Sequence, residues 1–156
     1  MRIKDDYRLV PLQLRHVHEL YKNIWSVGSI TRPMGYAPFV SILQAYIRYV
    51  DIKLTKGLDY QVIIDKKGKV IGMFRFEKHT NFYVIGYGIV PEHRGKGLLD
   101  ACLHNCRYWV VEPIYAIVYR WNDYSRRALE RNGFTLKDEN ITEDKVCYCF
   151  KVKEPV

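Results

Sequence analysis

The chain has 156 residues, with 25 Lys and Arg against 17 Asp and Glu, and a formal net charge of +8. This length is typical of one domain that buries its own core. Hydrophobic residues make up 48% and charged residues 27%, which excludes an intrinsically disordered chain. We expect a single domain over residues 1–156, and the basic excess favours an anionic partner such as a phosphorylated cofactor, a nucleic acid or an acidic surface.

The start of the chain and the cysteines predict where the protein resides. Met1–Asp6 is charged and has no apolar stretch, so we expect no secretory signal. No apolar run reaches the ~20 residues needed to span a bilayer. Cys102 and Cys106 have the spacing of a helix face, and Cys147 and Cys149 have the spacing of a strand face, so we expect all four to be small buried residues. Neither pair has the Cys-x-x-Cys spacing of a zinc site. We therefore expect a cytoplasmic protein with no membrane association and no metal.

The first half of the chain predicts one strand, two helices and a hairpin. Tyr7–Val10 reads as a short strand, and residues 14–25 repeat apolar positions every three or four residues, which predicts a helix. Gly28–Pro38 is rich in Gly and Pro and reads as a loop. A second helix should follow up to Gly57, with one apolar face formed by Phe39, Leu43, Tyr46, Ile47, Val50 and Leu54.

The second half alternates strands and helices. Two β patterns flank the turn Asp65–Lys69, and a third β run, Asn81–Val90, ends at Pro91. Further predictions are helices over 97–111 and 122–132 and strands over 60–65, 70–77, 115–119, 134–137 and 146–152. The order β-α-α-β-β-β-α-β-α-β-β predicts an α/β (α+β) fold with a mixed, mostly antiparallel central sheet of about six to seven strands, flanked by about four helices.

The most informative segment is Ile85–Leu99, where a strand runs through a glycine-rich turn into a helix. The first turn of a helix has amides without intrahelical partners and carries partial positive charge. Gly95 and Gly97 remove side chains that would block a ligand, and Arg94 and Lys96 add cationic charge. These features predict a phosphate-binding turn, although a tight turn that needs glycine for its backbone alone would have the same sequence.

Two well-known phosphate motifs do not match this turn. A P-loop requires Ser or Thr after Gly-Lys, whereas Gly97 follows Lys96. A dinucleotide fingerprint requires a third glycine where this chain has Asp100.

The turn resembles the acetyl-coenzyme A (acetyl-CoA) motif of the GNAT N-acetyltransferase superfamily, Arg/Gln-x-x-Gly-x-Gly/Ala. Arg94 and Gly97 match it, and Leu99 replaces the final small residue. The longer run from Ile85 to Leu98 is similar to the branch of ribosomal-protein N-terminal (RimJ/RimL-type) acetyltransferases. A second segment, Asn122–Phe134, resembles that branch's Asn-x-x-Ser, Leu-Glu and Gly-Phe pattern. The two matches cover about residues 81–137 and imply a GNAT-like fold.

The resemblance implies a site for acetyl-CoA as acyl-donor substrate. It implies that the backbone amides of the turn hold the diphosphate and that the end of the preceding strand pairs with the pantetheine arm. Asn122 matches a position that bonds the arm, and Ser125 one near the sulfur. The implied cofactor-binding residues are Ile89, Val90, Arg94, Gly95, Lys96, Gly97, Leu98, Leu99, Asn122 and Ser125. We expect Leu99 to point into the core, because it lies on the apolar helix face.

The usual catalytic groups of the family are absent at their matched positions. The base Glu corresponds to Val84, and the acid Tyr to Leu129. This leaves Ser125 as the leading candidate for donating a proton to the thiolate, Glu77 as a candidate base acting through water, and Tyr87 as a candidate in the acceptor channel. Each residue also has a purely structural interpretation. Ser125 would be a hydroxyl that bonds to the backbone of a helix turn, Glu77 a solvated residue at a strand end, and Tyr87 a packing aromatic residue.

The resemblance implies direct transfer of an acetyl group from acetyl-CoA to a primary amine of a protein, a peptide or a small molecule. Without a strong base, the site favours an amine with a low pKa, such as an α-amine. Alternatively, the protein has lost catalysis and is a binding or structural module. The basic cluster of Arg126, Arg127 and Arg131 could contact an anion, but no RNA-binding motif supports a nucleic-acid partner. A homodimer stays open, because nothing in the sequence identifies an interface.

Overall fold

Residues 1–152 form a single eight-stranded sheet with helices on both faces. The computed structural model describes residues 1–152, and the end of the predicted domain, 153–156, lies outside the described residues. The strands are β1 (Arg2–Lys4), β2 (Tyr7–Pro11), β3 (Leu58–Ile64), β4 (Val70–Lys78), β5 (Tyr83–Ile89), β6 (Ile114–Tyr119), β7 (Thr135–Asp138) and β8 (Lys145–Phe150). The helices are α1 (Val17–Leu20), α2 (Gly28–Thr31), α3 (Ile42–Leu54), α4 (Leu98–Cys106) and α5 (Asp123–Arg131).

The strand order is β1-β2-β3-β4-β5-β6-β8-β7, and every neighbouring pair is antiparallel except β5 with β6. The predicted mixed, mostly antiparallel sheet is therefore confirmed. The additional strand is β1, which a turn with Asp5 at φ 46° connects to β2. A three-residue strand carries too little alternation to be recognised from sequence.

Two apolar cores fill the two faces of the sheet. On one face, α4 and α5 pack against the sheet through residues such as Leu98, Leu103 and Leu129. On the other face, the first three helices cover the sheet through residues such as Trp25 and Ile52. All four cysteines are free and buried, as predicted, and burial raises the pKa of the Cys102 thiol to about 12.

The first helical segment is irregular. α1 is preceded by a 3-10 turn, Leu14–His16, and followed by a π-helical turn, Tyr21–Trp25, so the predicted helix over 14–25 has three consecutive geometries. The predicted loop 28–38 also contains α2 and a second 3-10 turn, Arg32–Met34. The glycine and proline content of this segment predicted a loop. The short helical turns form because they pack on the sheet, with Ile30 buried at 2% exposure.

Helix α3 turns its predicted apolar face outward. Leu43 is 66% exposed, Ile47 61% and Leu54 81%, whereas Ala45 and Ile52 on the opposite face are buried. The helix also begins at Ile42 instead of Phe39, because the Ser41 side chain caps it by accepting a hydrogen bond from the Gln44 amide. Periodicity located the helix, but apolar residues on two faces did not identify the face that packs.

Among residues 1–152, no helix combines the length and the apolar character needed to cross a membrane.

Candidate active site at the parting of two strands

The candidate site is a cleft between the only parallel strands that the described residues pair. β5 and β6 pair only where Tyr83–Ile85 lie beside Ile114–Ala116. Beyond these residues the two strands separate. The cleft has a volume of about 320 Å³ and is lined by both strands, by the start of α5 and by the segment that contains α2. A parallel pair that separates in this way leaves the backbone of β5 unpaired along one edge.

The open edge of β5 belongs to its odd-numbered residues. The Val90 amide donates to the Ile71 carbonyl on β4 (2.9 Å), so Val90 is hydrogen-bonded away from the cleft. Adjacent residues of a strand point their backbone groups in opposite directions, so the amide and carbonyl of Ile89, the residue before Val90, face the cleft. The Ile89 carbonyl there accepts a hydrogen bond from Arg94 Nε (3.0 Å).

The predicted phosphate-binding turn has the expected backbone. Gly95 and Gly97 adopt left-handed φ angles of 76° and 75°, and Gly97 is the N-cap of α4 without a side-chain cap. No atom lies within 4 Å of a Cβ built on Gly95, so the space beside this glycine is open. The Leu99 side chain is buried at 2% exposure, as expected. The turn therefore presents uncapped amides beside open space.

A further cation lies at this turn that the sequence did not reveal. Lys4 Nζ donates to the Lys96 carbonyl (2.6 Å) and lies 2.8 Å from where a Cβ on Gly97 would be. Lys4 comes from the β1–β2 hairpin, 92 residues away in sequence, and only the packing of this hairpin against α4 brings it here. No local motif could have identified it.

A side-chain hydrogen bond in the cleft joins two predicted residues. Tyr87 on β5 and Ser125 in α5 are hydrogen-bonded through their hydroxyl groups. Ser125 is 2% exposed, and its amide donates to the Asn122 side chain (3.3 Å), which caps α5. Burial raises the pKa of Tyr87, so its hydroxyl keeps its proton at neutral pH.

Glu77 lies apart from this pair. It is at the end of β4, opposite Val84, and pairs with His79 (3.4 Å) at a half-exposed position. Glu77 is not among the residues that line the cleft. Leu129, at the position to which the sequence resemblance assigns the acid, is fully buried in the core. Trp121 and Tyr124 also line the cleft, although the sequence had not singled them out.

Two of the three predicted basic residues of α5 have structural partners. Arg131 forms a two-pronged ion pair with Asp100 (both contacts 3.0 Å), and Arg126 donates to the Tyr148 hydroxyl and the Arg120 carbonyl. Arg127 is exposed. The hydrogen bonds from Arg131 hold the pKa of Asp100 below its usual range, and hydrogen bonds from the Asn132 side chain and from the backbone of Asp100 act in the same direction.

The structure thus combines a separating parallel strand pair, an uncapped glycine turn and a hydrogen-bonded tyrosine–serine pair. Residues 7–135 match the family model described as "Acetyltransferase (GNAT) domain", and the chain belongs to this family. It is an acetyltransferase that uses acetyl-CoA as acyl donor, as the sequence predicted. The search of curated proteins gave no match.

Solved structures share the whole fold at low sequence identity. RimL, a ribosomal L7/L12 alpha-N-protein acetyltransferase in complex with CoA, superposes with a TM-score of 0.82 at 16% identity, covering 97% of both chains. Spermidine N-acetyltransferase from Vibrio cholerae, with CoA and spermine, gives 0.80 at 16%, covering 92% of this chain and 93% of the other. Ribosomal-protein-S5-alanine acetyltransferase from Vibrio fischeri gives 0.73 at 16%, covering 95% and 94%.

Proposed function

We propose that this protein transfers the acetyl group of acetyl-CoA directly to an amine of low pKa, with the Tyr87–Ser125 pair as the source of the proton for the leaving thiolate. The observation that carries this proposal is the hydrogen bond between the two hydroxyls, both of which line the cleft. The amine nitrogen bonds to the acetyl carbon, the carbon–sulfur bond breaks, and the sulfur takes the proton. The amine's surplus proton passes to water.

The turn at the start of α4 suits the diphosphate of CoA. Gly95 leaves open space, the first amides of α4 have no side-chain cap, and Lys4 and Lys96 provide positive charge. These features support binding of a diphosphate by charge-assisted hydrogen bonds. Ile89 would pair with the pantetheine arm in place of its present contact with Arg94, and Asn122 lines the same cleft.

A carboxylate at the start of α4 makes this diphosphate site sensitive to Arg131. Asp100 lies in the first turn of α4, and Arg131 neutralises it. We expect Arg131→Ala to weaken CoA binding about threefold to tenfold, and more at low salt, because an unpaired carboxylate then repels the phosphates. Titration calorimetry at two salt concentrations measures this effect. Arg127→Ala removes an exposed charge from the same helix and should leave the affinity unchanged; equal losses in both variants would contradict the role of Asp100.

The residues that line the cleft favour an acceptor amine that is unprotonated near neutral pH without a catalytic base. They include no Asp, Glu or His. A lysine amine with a pKa of about 10.4 is neutral in fewer than about 1 in 1,000 molecules at pH 7, whereas an α-amine with a pKa near 7.7 is neutral in about one in six. An α-amine of a protein or peptide, or a small-molecule amine of similar pKa, therefore fits the site best. Glu77 acting through water remains a proposed base outside the cleft.

Matched peptides test this preference. We expect a peptide with a free N-terminus and no lysine to release CoA thiol at least about tenfold faster, at pH 7, than the same peptide with an acetylated N-terminus and one lysine. Faster acetylation of the lysine peptide would contradict the proposal. CoA binding without turnover of any amine in a broad panel would instead support the alternative of a catalytically impaired binding module.

A further inference from the structure

One arginine of the cleft, Arg75, has a side-chain nitrogen without a hydrogen-bond partner among residues 1–152. Arg75 lies on β4 directly opposite Gly86 of β5, next to the point where β5 and β6 separate. Its Nε is buried without a hydrogen-bond partner, and none of residues 1–152 forms an ion pair with its guanidinium. Arg75 as a whole is half-buried, so its terminal nitrogens remain within reach of a ligand. A buried polar atom without a hydrogen-bond partner is costly, so the unsatisfied Nε calls for an explanation.

Gly86 makes room for this guanidinium. A Cβ built on Gly86 would lie 3.1 Å from Arg75 Nη2 and 3.2 Å from Nε. The bare backbone therefore lets the planar group lie against β5. The neighbouring polar side chains are engaged elsewhere: Tyr36 contacts the Met34 sulfur, and the Tyr60 hydroxyl accepts from Arg48 (3.0 Å).

The two arginines that line the cleft, Arg75 and Arg94, have different surroundings. Arg94 donates to the Ile89 carbonyl and lies over the Tyr124 ring, at the phosphate end of β5. Arg75 lies opposite Gly86, next to the point where β5 and β6 separate, and Tyr36 and Tyr60 line the same cleft. Because the lining has two arginines and no carboxylate, it repels a polycation, and Arg75 is free to attract an anion beside Gly86.

We propose that Arg75 binds an oxyanion of the acceptor, so that the preferred substrate is an amine that also carries a carboxylate. This inference rests on the proposed function and specifies its substrate. The planar guanidinium matches a carboxylate with two parallel hydrogen bonds. The carboxylate can come from the free carboxyl group of a small amino compound or from an acidic side chain next to a peptide N-terminus.

Two pairs of acceptors with similar amine pKa values separate these sources. The dipeptide Ala-Ala and its C-terminal amide differ in a free carboxylate, and two tetrapeptide amides that begin Ala-Asp and Ala-Asn differ in an acidic side chain. We expect the natural protein to prefer the carboxylate member of at least one pair by about tenfold or more in kcat/KM, the effect of about one charge-assisted contact. Spermidine should be a poor acceptor.

Variants of Arg75 test its role directly. Arg75→Gln should reduce the preference to less than about threefold, mainly by raising KM for the carboxylate member, and should leave CoA affinity unchanged. Arg75→Lys keeps the charge and should retain part of the preference, which guards against a folding defect in the first variant. Arg48→Gln, a nearby arginine that does not line the cleft, should keep the full preference.

The outcomes distinguish this inference from the proposed function. Equal use of both members of each pair, or a preference for spermidine, overturns the role of Arg75 alone. An equal loss of kcat for all acceptors in Arg75→Gln also overturns it, because the arginine would then act on the thioester. Failure of every amine, neutral ones included, to release thiol from bound acetyl-CoA contradicts the proposed function itself.

Discussion

Gly97→Asp is expected to weaken CoA binding by at least about 100-fold. The new side chain starts 2.8 Å from Lys4 Nζ, so it neutralises this cation and places a negative charge at the first amides of α4. Each charge-assisted hydrogen bond contributes roughly 1.5–3 kcal/mol, and losing two of them exceeds the ~2.7 kcal/mol that a 100-fold change requires. Titration calorimetry with CoA measures the loss.

A matched glycine elsewhere separates this effect from backbone strain. Gly68, in the turn between β3 and β4, has a φ of 80°, close to the 75° of Gly97, and has open space around it. Gly68→Asp therefore carries the same charge and a similar conformational cost of about 1–2 kcal/mol away from the cleft. The phosphate-binding role of the turn is wrong if Gly97→Asp binds CoA as tightly as Gly68→Asp.

Tyr87→Phe is expected to lower kcat by about 100-fold or more while CoA affinity stays within about threefold. The loss follows from removing the hydroxyl that would supply the proton, since general acid catalysis typically contributes about 10²–10⁴-fold. Phenylalanine preserves the stacking on Phe74. It leaves the buried Ser125 hydroxyl without this partner, at a cost of about 1–3 kcal/mol in stability, which thermal unfolding would report.

Controls on the same strand and in the same pair sharpen this test. Tyr83→Phe removes a hydroxyl from β5 at a ring stacked on Phe76 and should leave kcat unchanged. Ser125→Ala should also lower turnover more than binding, and the double variant with Tyr87→Phe should be no slower than the slower single variant, because the two hydroxyls act as a unit. Equal losses of kcat and CoA affinity in Ser125→Ala would instead assign this residue to cofactor contact.

The raised pKa of Tyr87 determines the alkaline side of the pH profile. The acid must be protonated to act, and burial moves the pKa of Tyr87 above its usual value of about 10. At low pH the acceptor amine is protonated, so kcat/KM should rise with pH until the pH passes the pKa of the amine. It should then stay level to about pH 10, without a fall caused by this tyrosine. A fall between about pH 8 and pH 9 would contradict Tyr87 as the acid.

The sequence by itself determined the features that depend on neighbouring residues. The strand, the glycine turn and the helix over 85–99 were predictable because glycine is the residue that readily adopts left-handed φ angles, here at Gly95 and Gly97. The α5 start was predictable because Asn122 caps the helix through its own side chain. The resemblance to the GNAT family depended on these same two segments, and the family match confirmed it.

Only the tertiary structure decided which distant side chains meet. Tyr87 and Ser125 are 38 residues apart and Lys4 and Lys96 are 92 apart. Arg75 faces Gly86 because of the register between β4 and β5, and a shift of one residue would turn its side chain to the other face. Register and helix packing depend on the whole apolar core, so periodicity along the chain located α3 but not its buried face.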